Sequence, residues 1–111
     1  MLKSIHRLST KQFMEVMEKG KIYTSPLFVV RILLKDETGG ISAVAPKKVA
    51  STAVLRNKLR RQTYEVVFPL RSSLIPGISM IIFAKSEAVK ANFKDLSLDL
   101  KNLFSKAKIS V

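Results

Sequence analysis

The chain has 111 residues, 47% of them hydrophobic, and sets 20 Lys and Arg against 8 Asp and Glu, a formal net charge of +12. That length fits a single domain, 1–111, able to bury a core without staples, and the absence of cysteine excludes disulfides, thiolate metal sites and thiol nucleophiles. An excess of positive charge on this scale repels itself in the folded state, and a polyanion that neutralises it is the simplest reason for it to persist.

Met1 to Arg7 lacks the apolar stretch of a secretory signal. The most apolar runs, Leu27 to Leu34 and Ile78 to Ala84, have the length of strands and are too short to span a bilayer. A soluble, cytoplasmic protein with no membrane partner is expected. A basic membrane-surface protein would carry its charge on an amphipathic helix rich in exposed apolar anchors, so nucleic acid is the better match.

Ser9-Thr10-Lys11-Gln12 has the pattern of a capping box, followed by Phe13, Val16 and Met17 at helical spacing and by Gly20 as a C-cap. A short first helix is predicted there, with a weak strand over Lys21 to Tyr23. After the break at Ser25-Pro26, Leu27 to Lys35 reads as a strand. Phe28, Val30, Ile32 and Leu34 form its wholly apolar face, and Arg31 sits among Leu27, Val29 and Leu33 on the other. An Arg in such a strand marks either a face open to solvent or ligand, or an edge strand guarded against aggregation. Asp36-Glu37-Thr38-Gly39-Gly40 predicts a turn, and Ile41 to Ala45 a second strand returning as a hairpin.

Lys47 to Phe68 is the second helical region, with Ser51 or Thr52 as candidate caps and Pro69 as its end. Pro76-Gly77 marks a turn. Ile78 to Ala84 is apolar on both faces, which suits a central, covered strand. The last helix places Phe93, Leu96, Leu100, Leu103, Phe104 and Ala107 on one stripe. Strand, helix and strand across Ile41 to Ala84 imply a crossover between parallel strands. The order α-β-β-β-α-β-α predicts an α/β (α+β) sandwich, a small mixed sheet packed with three helices.

The middle helix holds the strongest functional signal. From Thr38 to Tyr64 there is no acidic residue, whereas Lys47, Lys48, Arg56, Lys58, Arg60 and Arg61 all fall there. At about 100° per residue, Leu55, Leu59 and Val66 make a narrow stripe toward the core. Arg56, Asn57, Arg60, Arg61 and Tyr64 then share the arc that faces away. Guanidinium groups match phosphate bidentately, and Asn and Tyr add hydrogen bonds or stacking. An ordinary solvated face mixes charges of both signs, which this one does not.

Catalytic groupings are scarce. His6 is the only histidine and lies near a terminus, where a surface role is expected. The carboxylates show no two-metal nuclease spacing, and there is neither a Gly-rich phosphate loop nor a nucleophile elbow. Met14, Met17 and Met80 read as core or groove lining. No catalytic residue, protein-bound metal, cofactor or small-molecule substrate is expected.

The run Lys47-Lys48-Val49-Ala50-Ser51-Thr52-Ala53-Val54-Leu55-Arg56-Asn57-Lys58-Leu59-Arg60-Arg61 resembles the hallmark of the protein subunit of bacterial-type ribonuclease P. Arg7-Leu8, Phe13, Gly20 and Phe28 fit the same pattern upstream, so the resemblance covers nearly the whole chain. It implies a subunit that does not cut: an RNA partner, working with magnesium ions, removes the 5′ leader of precursor tRNA. It implies that Lys47, Lys48, Arg56, Asn57, Lys58, Arg60 and Arg61 face RNA, and that Phe13, Met17 and Arg31 line a cleft for the single-stranded leader. It also implies a left-handed crossover for the middle helix, against the usual rule. Arg31 and Met17 stand where the family often has aromatic residues, and Tyr64 where it often has Arg. The competing reading is a general or ribosomal RNA-binding domain of related topology with no part in leader removal.

Overall fold

Ser9 opens the first helix as its side-chain pattern requires. Its hydroxyl accepts from the Gln12 amide at 3.2 Å while the Gln12 side chain accepts from the Ser9 amide at 2.9 Å, and helix α1 runs Thr10–Lys19. The computed structural model describes residues 7–34, 39–75 and 77–109. His6, Lys35, the Asp36–Thr38 part of the expected turn, and Pro76 lie outside the described residues. Gly20 ends α1 with an ordinary extended backbone, so its small size matters for another reason: a Cβ there would stand 2.5 Å from the Val16 carbonyl oxygen.

Four strands follow: β1 Lys21–Thr24, β2 Phe28–Leu34, β3 Gly40–Val44 and, after helix α2 (Ala53–Val67), β4 Ile78–Ala84. Helix α3, Phe93–Lys106, completes the chain after a short 3₁₀ segment at Ser86–Lys90. The sheet order is β1-β2-β4-β3, with β1 and β2 antiparallel, β2 and β4 antiparallel, and β3 and β4 parallel. The weakly signalled first strand is therefore real, and so is the parallel crossover through α2.

The expected hairpin is not formed. β2 and β3 do not pair, because β4 lies between them. All of β4 but Phe83 is buried, so the central position covers both of its apolar faces at once. The β2–β3 connection must then bridge two strand spacings, about 9.6 Å, rather than one.

The main core lies between one sheet face and helices α2 and α3. Phe28, Val30 and Ile32 of β2 meet Met80 and Ile82 of β4, together with Leu59, Val66 and Val67 of α2 and Leu96, Leu100, Leu103 and Phe104 of α3. Leu34, expected on the same face, is 56% exposed at the end of the sheet, and Phe93, at the first turn of α3, is 46% exposed. On the opposite face α1 packs against β2 and β4. Val16 and Ile81 are fully buried yet belong to no part of the main core, so they form a small second layer beneath α1.

Helix α2 begins later than its composition suggests. Lys47 to Val49 form a turn in which the Val49 and Ala50 amides donate to the Pro46 carbonyl at 2.9 and 3.1 Å. Thr52 is the cap, accepting from the Leu55 amide at 3.2 Å. The Arg56 guanidinium donates to the Ala50 and Ser51 carbonyls at 3.0 and 3.2 Å, engaging oxygens that an earlier helix start would have used. The α-helix ends at Val67, and Pro69 sits in the first turn of a 3₁₀ segment, Phe68–Ser73, rather than stopping the chain outright.

Tyr64 departs from its expected place on the polar arc. It is 4% exposed, and its hydroxyl accepts from the Ala43 amide of β3 at 3.0 Å. β3 is an edge strand, so this bond satisfies an amide that has no neighbouring strand to receive it. Tyr64→Phe is expected to lower stability by about 1–2 kcal/mol, the cost of leaving a buried amide unpaired. Urea denaturation checks it, and an unchanged midpoint would show that the bond contributes nothing.

Candidate nucleic-acid interface

Two features meet at the N-terminal end of α2. The first is a basic rim. Lys47 and Lys48 are exposed in the turn before the helix, Asn57, Lys58, Arg60 and Arg61 are exposed along it, and Arg56 is half-buried. Arg60 donates to the Asn57 side-chain oxygen at 3.2 Å, which links two of these groups into one unit. Arg61 lies 3.9 Å from Glu65, a solvent-exposed pair that neutralises it only in part. Half-buried, Arg56 holds the Ala50 and Ser51 carbonyls, so it shapes the rim as well as charging it.

Arg7 adds a cation that the helix pattern could not reveal. Its guanidinium sits 4.8 Å from the centre of the Tyr64 ring, and the neighbouring Leu8 amide donates to the Ser42 hydroxyl at 3.3 Å. The segment before α1 thus crosses the β3 edge and brings Arg7 against α2. Tyr64, expected to face a ligand, is instead the buried ring beneath it.

The second feature is an open groove of about 460 Å³ on the sheet face that carries α1. Val29 and Phe83, partners across β2 and β4, lie in it with Arg31. Met17 of α1 forms one wall, Pro46, Lys48 and Val49 form another, and Lys85, Ser86 and Glu87 lie at the end of β4. Lys48 therefore belongs to the rim and to the groove. Apolar side chains line it beside Arg31, Lys48 and Lys85, with Glu87 the acidic member of the lining.

Met17 and Arg31 are brought together as expected, but through the backbone: the Arg31 guanidinium donates to the Met17 carbonyl at 2.8 Å. That carbonyl is among the last of α1, where oxygens lack partners within the helix and a cation is favoured. Phe13, one turn earlier on the same side of α1, is half-buried and does not line this groove. Val29, which shares a strand face with Arg31, lines it too, as do Phe83 and Lys85, which escaped the sequence pattern. Among the described residues no group of three or more His, Cys, Asp and Glu comes together to hold a metal, and no helix is long and apolar enough to cross a membrane.

The family model for Ribonuclease P matches residues 2–108. A ribonuclease P protein component of Pseudanabaena sp. (strain PCC 6903) is 34% identical over 112 residues, covering 98% of this chain and 97% of that protein. One from Microcystis aeruginosa is 34% identical over 116 residues, covering 97% and 95%. The solved RNase P protein of Staphylococcus aureus superposes with a TM-score of 0.83 at 22% identity, over 96% of this chain and 98% of that one. That of Thermotoga maritima gives 0.79 at 21% identity, over 90% and 96%. The two structures share this α/β architecture, and with the family model spanning nearly the whole sequence, the chain belongs to the family of ribonuclease P protein components.

Proposed function

We propose that this chain is the protein subunit of ribonuclease P and assists removal of the 5′ leader from precursor tRNA by binding RNA rather than by cutting it. The observation that carries this reading is the junction at Lys48, where the basic rim runs into a groove with apolar lining. The rim suits a folded RNA: Lys47, Lys48, Arg56, Asn57, Lys58, Arg60 and Arg61 meet phosphates of the ribonuclease P RNA, positioning it without reading its sequence. The groove suits a single strand, because an apolar floor accepts the faces of unstacked bases while flanking cations take the phosphates. Met17 and Arg31 lie at the groove for the leader, with Phe13 behind Met17 on α1.

Magnesium ions held by the RNA supply the chemistry of the cut. The protein's part is electrostatic: it offsets phosphate repulsion where leader and catalytic RNA converge, so that less free cation is needed. Such work belongs in the cytoplasm, where precursor tRNA is matured in bacteria.

The test is cleavage of a precursor tRNA by a cognate bacterial ribonuclease P RNA at low magnesium, with and without the protein. Strong stimulation is expected, fading as magnesium is raised. Tight, salt-sensitive RNA binding with no stimulation would instead mark a general RNA-binding domain.

A further inference from the structure

β4 is buried along its whole length except at Phe83, which is half-buried and turned into the groove. It is the one aromatic side chain among the described residues that line it. Its partners across the sheet, Val29 on β2 and Val44 on β3, are also half-buried, so the ring lies in a row of small branched side chains. Nothing as long as a Lys or Arg stands on that row. Arg31, two residues from Val29, keeps its guanidinium bonded to the Met17 carbonyl. Lys48 and Lys85 stand among the lining residues, where phosphates on either side of a base would run.

We propose that Phe83 is the stacking platform of the groove, receiving the face of one unpaired nucleotide base. The proposal rests on the reading of the groove as the leader site. A ring flanked by valines offers a flat apolar surface with no hydrogen-bonding edge, so it takes any base and distinguishes a base from none. Discrimination is therefore between stacked and abasic, not between sequences.

The experiment measures affinity of the reconstituted holoenzyme for precursor and mature tRNA, with precursors carrying a single abasic nucleotide at successive leader positions. With the unaltered protein, one leader position should cost about tenfold when its base is removed. Phe83→Leu should lose about tenfold on the precursor and nothing on mature tRNA, and should then be indifferent to the abasic site, since both changes remove the same contact. Phe83→Tyr, which keeps the aromatic face, should behave as the parent. Should Phe83→Leu fail to fold, an abasic series with no sensitive leader position on the unaltered protein overturns the platform.

Should the unaltered holoenzyme bind precursor and mature tRNA equally, the leader reading itself falls. Leader-dependent affinity that survives Phe83→Leu, or that ignores base removal at every position, overturns the platform alone.

Discussion

The Arg56→Ala/Arg60→Ala protein is expected to bind ribonuclease P RNA about a hundredfold more weakly, a loss of about 3 kcal/mol for two charge-assisted contacts. The dependence on salt should change as well. Each phosphate contact releases a condensed counterion, so losing two should flatten the slope of log K against log salt by about 2. The two arginines are not equivalent. Arg60 is exposed and bonded only to Asn57 among the contacts described, so Arg60→Ala alone should weaken binding with little effect on stability. Arg56 holds the Ala50 and Ser51 carbonyls, and Arg56→Ala should both weaken binding and lower the melting temperature. Arg61, half-neutralised by Glu65, should matter least. Filter binding across a potassium chloride series separates these cases. An unchanged salt slope in the double variant would remove the rim from the RNA interface.

That rim was legible because charge patterning needs only the sequence. From Thr38 to Tyr64 the absence of acids is visible without a fold, and exposure of Lys58, Arg60 and Arg61 follows from a period of 3.6. Tyr64 was misread by the same rule. Its angle on the helix, about 140° from Leu59, lies well inside the basic arc, and only the presence of an edge strand with a spare amide turns the ring inward. The buried set of α2 likewise starts at Leu59, leaving Leu55 39% exposed, since the first turn projects past its packing partners.

The groove was half legible. Alternation along β2 puts Val29 on the face of Arg31, and the resemblance placed Met17 opposite. Phe83 was hidden because a strand apolar on both faces reads as covered on both. α1 is short and its buried contact centres on Val16, so the far end of the sheet face stays open. Which part of a face a helix covers depends on where the helix docks, and no local pattern encodes that.

The hairpin failed for a related reason, and the glycine beside it supplies the sharpest test of the corrected topology. Asp36 to Gly40 has turn chemistry, but turn chemistry alone does not name the strand that receives the chain. A Cβ on Gly39 would stand 1.8 Å from the Ile78 carbonyl oxygen and 2.4 Å from its carbon. Both atoms are backbone at the start of β4, so nothing flexible can move aside and either the edge strand β3 or the central strand β4 must shift. Gly39→Ala is therefore expected to destabilise by about 3 kcal/mol or more, a large part of the 5–15 kcal/mol that holds a domain together. The melting temperature should fall by at least about 10 °C. Gly39→Asn separates the explanations: a tight turn accepts Asn in place of Gly, whereas crowding against β4 rejects any residue with a Cβ. Both variants should melt early. If Gly39→Asn melts with the parent protein, Gly39 serves a turn and the close approach of β3 to β4 at this point is wrong.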